Sequence, residues 1–139
     1  MDARTGTIER TTRETQISVA VNLDGSGACA IRTGFGFADH MLDLMGHWAG
    51  FDLEITCSGD MHIDAHHSLE DIGLCLGGAL SSALGDRKGI ARVGCAKVPM
   101  DEALTEVCWT FPGARIWCMK RPSCPPSSPG RKRTCGGNF

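Results

Sequence analysis

The sequence predicts an α+β fold, with helices packed on one face of a mostly antiparallel sheet. Three observations carry that expectation. Polar and apolar residues alternate over 15–23, 28–33 and 51–57, the period of half-buried strands. Between and after these runs, apolar residues recur at helical spacing: Met41, Leu42, Leu44, Met45 and Trp48, then Leu69, Ile72, Leu76, Ala79, Leu80 and Ala83. The chain has 139 residues, 42% of them hydrophobic, which is one domain's length and enough for a core. With 6% aromatics and no Tyr, that core is aliphatic.

Taken in order, residues 15–23 form the first strand. Asp24-Gly25-Ser26-Gly27 is a turn, and 28–33 returns, so the two are expected to pair as a hairpin. Residues 34–37 lead into a helix over 38–48 that Asp39 is placed to cap. A third strand over 51–57 closes at Ser58-Gly59-Asp60, and 61–64 is a short extended piece. From His66 a long helix runs to Gly85. Residues 90–98 read as another strand, and 99–104 as either a helix start or a turn.

No apolar run approaches the ~20 residues of a membrane span, and the first fifteen residues are too charged for a signal peptide. A cytoplasmic protein with no membrane partner is expected. Cys29, Cys57, Cys75 and Cys95 form no CxxC pair, consistent with reduced thiols packed as small hydrophobes. The averages conceal a break. All 16 acidic residues lie within 1–108, beside 8 Lys and Arg, whereas 109–139 holds 6 Lys and Arg with no acid and no His. Five of the six prolines and Cys118, Cys124 and Cys135 fall in that second part. The expected organisation is a folded body over 1–108 and a basic, Pro/Cys-rich, disordered tail over 109–139. The tail's Cys spacing matches no zinc knuckle. A basic nucleic-acid tail is the rival reading, but it lacks an aromatic stacking pattern, so no nucleic-acid partner is expected.

Chemistry concentrates in residues 62–71, where His62, Asp64, His66, His67, Glu70 and Asp71 fall within ten positions. On a helix, His66 and Glu70 are i,i+4 neighbours, and so are His67 and Asp71. Adjacent His66 and His67 point about 100° apart, so the natural geometry is two neighbouring ions, or one ion and one substrate. Imidazole and carboxylate without thiolate suit Mn, Fe or Zn. The bland reading is a solvated helix start whose acids favour the dipole; the density of ligand-type side chains weighs against it. Asp39-His40 adds a second His beside an acid, which can orient a ligating imidazole. Taken singly, Glu14 reads as an exposed strand-edge acid and Arg92 as a solvated cation.

The combined pattern resembles the imidazoleglycerol-phosphate dehydratase family. The matching stretches are Arg13-Glu14-Thr15, Leu23-Asp24-Gly25, Thr33-Gly34-Phe35-Gly36-Phe37, Asp39-His40-Met41-Leu42 and Gly59-Asp60. They continue through residues 62–71, Gly89-Ile90-Ala91-Arg92 and Pro99-Met100-Asp101-Glu102-Ala103-Leu104. The resemblance implies a histidine-biosynthesis lyase with two Mn2+ per active site. It would dehydrate imidazole glycerol phosphate, a small-molecule phosphate substrate, to imidazole acetol phosphate. It further implies that His40 and His67 serve one manganese and His66 and Glu70 the other. Glu14 would then act at the reacting carbon and Arg92 would grip the phosphate. The fold would be one of two repeated half-domains. In the family the second half brings its own HHxxE cluster, and the sites form between subunits of a homo-oligomer.

This chain departs from the family in two places. Trp48 stands where the family has a His, with His47 one place early. From Trp109 onward the family pattern stops, and no second HHxxE cluster follows. Residues 109–118 can be back-translated as TGG ACC TTT CCG GGC GCC CGT ATC TGG TGT. Read two bases later, this encodes Asp-Leu-Ser-Gly-Arg-Pro-Tyr-Leu-Val, close to the family's continuation. A single-base loss near codon 108 accounts for the tail. The family's second phosphate-binding Arg would align with Ala114, beside Arg115. Low activity of these residues alone is therefore expected. The alternatives are a non-catalytic, weakly metal-binding remnant, prone to aggregate through an exposed sheet surface, and a di-metal hydrolase.

Overall fold

The structure, a computed structural model, describes residues 3–111. The elements run β1 (Thr5–Thr11), β2 (Thr15–Asn22), β3 (Cys29–Arg32), α1 (Gly36–Ala49), β4 (Asp52–Gly59), α2 (His66–Leu84), β5 (Val93–Met100) and β6 (Ala103–Thr110). Two compact units part between Arg87 and Lys88. The first holds a four-stranded sheet in the order β1-β2-β4-β3 with both helices; the second holds the β5-β6 hairpin.

Alternation in the sequence becomes sidedness in the sheet. Ile17, Val19 and Val21 of β2 and Leu53 and Ile55 of β4 are buried, and the antiparallel register sets Val19 against Ile55 and Val21 against Leu53. On this face α2 lays Ile72, Cys75, Ala79 and Ala83, and α1 packs Leu42 and Met45. Gly46 lets α1 approach closely, since a Cβ there would meet the Cys29 sulfur and the Leu53 side chain. Both helices thus lie on one face of a mostly antiparallel sheet, as the sequence predicts. The other face is polar, with Thr7, Glu9, Gln16, Arg32, Glu54 and Thr56 exposed. Exposed apolar side chains of this unit sit instead on the helices, at Phe37, Met41, Trp48, Leu69 and Leu74, and in the turn before α2, at Ile63. The exposed apolar side chains of this unit thus lie off its sheet, whereas the β5-β6 hairpin of the second unit exposes Val93, Val98, Met100, Leu104, Val107 and Trp109 on its strands.

Other local expectations need correcting. Residues 15–23 and 28–33 do not pair as a hairpin: β4 lies between them, antiparallel to β2 and parallel to β3. Asp52, the first residue of β4, explains the insertion. Its carboxylate accepts the Ser26 N–H at 2.8 Å, the Ala28 N–H at 3.0 Å and the Asn22 amide at 3.2 Å. It thereby fastens the 24–28 turn to β4. The strand β1 shows little periodicity because its inward positions include Gly6, beneath the Ala79 carbonyl, and Ile8, beside Gly78. Asp39 does not cap α1. The helix starts from Phe35 with no side-chain cap, and Asp39 Oδ1 instead accepts the Thr33 N–H at 2.8 Å and hydroxyl at 2.6 Å.

Residues 61–64 are a turn rather than an extended piece, closed by Ile63 N–H to the Asp60 carbonyl at 2.8 Å. The buried stripe of α2 runs through Ser68, Asp71, Ile72, Cys75, Ala79 and Ala83, leaving Leu69 outside. Residues 99–104 resolve as the end of β5, a turn with Asp101 at φ 49°, and the start of β6. Pro99 faces Leu104 across that hairpin. Trp109 and Thr110 extend β6 two residues past the composition break at Cys108. The tail is expected over 109–139, and its residues 112–139 lie outside the described residues. Among the described residues no helix is long and apolar enough to cross a membrane.

Candidate functional site

The His-rich segment opens α2, as its spacing predicts. Asp64 Oδ1 accepts the His66 N–H at 2.7 Å, satisfying one of the helix's free first-turn donors. His66 and His67 splay apart, their ring centroids 5.7 Å distant and the planes tilted by 68°. His66 Nε2 lies 3.6 Å from Glu70 Oε2 along the outer face, with side chains 71% and 63% exposed. His67 turns the other way, and its Nδ1 sits 2.9 Å from Asp60 Oδ2. Glu14 Oε2 approaches the same Nδ1 at 3.9 Å. Three segments therefore meet here: the β1-β2 turn, the end of β4 and the first turn of α2.

Asp60 is only 11% exposed, and its other oxygen, Oδ1, is buried with no hydrogen-bond partner among the described residues. The bond to His67 holds the Asp60 carboxyl below its ordinary value. In return, that bond, followed by the nearby Glu14 charge, raises the imidazole against the opposing effect of burial. A carboxylate at Nδ1 fixes the ring's orientation and leaves Nε2 free to donate its lone pair.

Glu14 is delivered by a hydroxyl relay. Thr12 Oγ1 accepts the Glu14 N–H at 3.1 Å and the Thr15 N–H at 2.9 Å, which shapes the β1-β2 turn. Thr15 donates its hydroxyl to Asp71 Oδ2 at 2.6 Å, so the 3.0 Å contact between the two hydroxyls runs from Thr12 to Thr15. Arg10 Nε completes the clamp on Asp71 Oδ1 at 2.9 Å. Asp71 is buried, and the Thr15 bond, aided by Arg10, outweighs burial and lowers its carboxyl. This network ties the Glu14 turn to α2.

The expected residues are thus placed unequally. Glu14 and His67 are brought together, and His66 and Glu70 are neighbours on one helical face. Asp71 leaves His67 for Arg10 and Thr15. His40 lies exposed on α1, and Arg92 precedes β5 in the second unit, where its Nη1 donates to the Phe111 carbonyl at 3.5 Å. Trp48 is exposed and stacks edge-on with His47. Among the described residues, one trio of His, Cys, Asp or Glu has its ligand atoms all within 4.8 Å, and it is Cys95, Glu106 and Cys108 in the hairpin. Asp60 was given no role from the sequence; its signal was adjacency to Gly59 in a matching stretch, with no periodicity to show its partner.

The chain matches the imidazoleglycerol-phosphate dehydratase family over residues 33–128, so the match runs past Cys108, after which the family pattern is expected to stop. It is 64% identical over 107 residues to the dehydratase of Oleidesulfovibrio alaskensis, covering 77% of this chain and 55% of that protein. A dehydratase of Maridesulfovibrio salexigens is 54% identical over 139 residues, covering 100% of this chain and 71% of the relative. In three dimensions it resembles the Staphylococcus aureus dehydratase at TM-score 0.63 and 35% identity, over 75% of this chain and 56% of that one. The Pyrococcus furiosus enzyme gives TM-score 0.61 at 38% identity, over 73% and 52%. The chain thus spans little more than half of several proteins it matches. Sequence and fold agree: this chain belongs to the imidazoleglycerol-phosphate dehydratase family.

Proposed function

We propose that this chain supplies the N-terminal part of the active site of a manganese-dependent dehydratase in histidine biosynthesis. Its reaction converts imidazole glycerol phosphate to imidazole acetol phosphate. The observation that supports this best is the meeting of Glu14, Asp60 and His67 at the start of α2. The donors suit Mn2+, being imidazole nitrogens and carboxylate oxygens with no thiolate. His40 and His67 would hold one ion, and His66 and Glu70 the other. When bound, manganese supplies Lewis-acid stabilisation of charge on the substrate's imidazole as a C–H proton leaves.

The remaining roles belong to the chain itself. Asp60 accepts from Nδ1 of His67 and so presents Nε2 as the donor. Glu14, exposed yet anchored through its own N–H, moves protons at the reacting carbon once substrate lies within hydrogen-bond reach. Arg92 grips phosphate with a fixed cationic fork. The protein would work in the cytoplasm as a homo-oligomer, with the remaining ligands arriving from outside these residues.

The 139 residues taken alone offer two donors per ion. Ion position and affinity both depend on the complete ligand set, and catalysis depends on near-attack geometry. Turnover by this chain should therefore fall orders of magnitude below that of a chain whose frame is restored at codon 108. The test is turnover of imidazole glycerol phosphate by both proteins, with excess Mn2+ and after metal stripping. Equal rates would overturn the two-donor account. Full turnover by the stripped, frame-restored protein would overturn manganese dependence.

A further inference from the structure

The β5-β6 hairpin sets Cys95 directly opposite Cys108. Met100 and Ala103 flank the two-residue turn as a hydrogen-bonded pair, and pair types alternate from there. Two facts fix that phase. Phe111 N–H donates to the Arg92 carbonyl at 2.8 Å, as a hydrogen-bonded position requires. Pro99, which has no N–H to give, faces Leu104 at a non-hydrogen-bonded one. By the same count Cys95 and Cys108 are a non-hydrogen-bonded pair. Such pairs bring Cα atoms to about 4.5 Å, inside the ~4.4–6.8 Å that a disulfide spans. The two sulfurs lie 3.0 Å apart, with the Cys108 S–H donating to Cys95, and both residues are exposed. Lys97 and Glu106 hold the neighbouring non-hydrogen-bonded pair with an ion pair at 3.3 Å, so the register beside the thiols is pinned.

We propose that Cys95 and Cys108 form a thiol–disulfide exchange site, oxidised by a small-molecule disulfide such as glutathione disulfide to a cross-strand disulfide. Cys95, which accepts the S–H···S bond, loses its proton to solvent and attacks one sulfur of glutathione disulfide. That S–S bond breaks, and one glutathione leaves as thiolate and takes up a proton. Cys108 then loses its proton and attacks the Cys95 sulfur of the mixed disulfide, releasing the second glutathione. Two protein thiols are oxidised by two electrons, and one glutathione disulfide is reduced to two glutathione thiols. The other described cysteines are poorer candidates. Cys75 is buried, Cys29 and Cys57 are half-buried, and burial pushes all three thiols up.

The test uses the whole reduced chain, equilibrated over a series of glutathione thiol-to-disulfide ratios, alkylated, and digested with trypsin without reduction. Lys97 separates the two cysteines, so the disulfide joins the peptide of residues 93–97 to that of 98–115. The expected result is that linked pair, with an effective concentration of the second thiol at least ~10-fold above the millimolar value of a flexible connection. Cys95→Ser should abolish the link and leave Cys108 as a mixed disulfide with glutathione, and Cys108→Ser should do the converse. Pairing of Cys108 with Cys118, Cys124 or Cys135 would overturn the proposal. So would an effective concentration no higher than a flexible connection gives. Retention of Zn2+ by Cys95, Cys108 and Glu106, with thiols inert to glutathione disulfide, would also overturn it.

Discussion

Glu70 and Asp71 are adjacent carboxylates with opposite duties. Glu70 is exposed beside His66, whereas Asp71 is buried and receives Arg10 and the Thr15 hydroxyl. Asp71→Ala strands the Thr15 hydroxyl, buried at 3% exposure, and should cost about 1–3 kcal/mol in urea unfolding. Glu70→Ala should change stability by less than about 0.5 kcal/mol yet weaken Mn2+ binding in a metal titration. Equal metal affinity in the two variants would count against Glu70 as a ligand. Asp60 belongs with this pair, because its carboxylate accepts from Nδ1 of His67 and so orients the ring. Asp60→Ala should lower Mn2+ affinity about 10–100-fold, and Asp60→Asn, which still accepts from Nδ1, should recover part of it. No recovery would argue that charge, not orientation, is what Asp60 supplies. The i,i+4 pairing of His66 with Glu70 was legible because helical spacing dictates it. The Asp60–His67 bond was not, since a turn of irregular backbone brings the two together.

Period made β2 and β4 readable because their inward residues are large and apolar, and α2 because Ile72 and the partly buried Leu76, Leu80 and Leu84 recur at helical spacing. For β1 the reason it was missed is also its function in the packing. Gly6 lies where α2 crosses, and a Cβ there would press on the Ala79 carbonyl, so the strand cannot advertise itself with a bulky residue. Gly6→Ala should therefore cost about 1–3 kcal/mol by overpacking. By contrast Gly77, inside α2, has nothing within 4 Å of a built Cβ. Gly77→Ala should gain about 0.5–1 kcal/mol from helix propensity. Thermal unfolding of the two variants checks both signs, and a destabilising Gly77→Ala would show that this face is already covered. The missed β4 insertion rests on Asp52, which sequence alternation cannot reveal. Its carboxyl is held below the usual carboxylate range, first by the Ser26 and Ala28 amides. A depressed carboxyl adds stability above its unfolded value and loses it as pH falls through the folded one. Wild type should thus exceed Asp52→Asn in melting temperature at pH 7, and the gap should close below about pH 4. A gap that persists at pH 2 would assign the effect to shape rather than charge.

Across the first unit, the two sides of the sheet differ in what they show to water. The uncovered sheet face is lined with Thr, Ser, Gln, Glu and Arg, which solvent satisfies. The helices present Trp48 at 81% exposure, Leu74 at 58% and Phe37 at 65%. Contiguous apolar exposure drives association, whereas scattered single residues do not. Trp48 and Phe37 lie on α1 and Leu74 on α2, so the exposure is shared by both helices of the layer. Self-association through the first unit should follow the helices, while the hairpin contributes separately through Val93, Val98, Met100, Leu104, Val107 and Trp109. The double variant Trp48→Glu, Leu74→Lys should associate less than the parent at equal concentration, as read by sedimentation velocity. Its stability should stay within about 0.5 kcal/mol of the parent, because neither side chain is buried. Ser18→Lys, Thr56→Lys places two charges on register partners of the polar sheet face and serves as the control. It should leave association unchanged at the same net concentration and salt. If the sheet variant suppresses association and the helix variant does not, the sheet is the adhesive surface. The polar lining of that face argues for the first outcome.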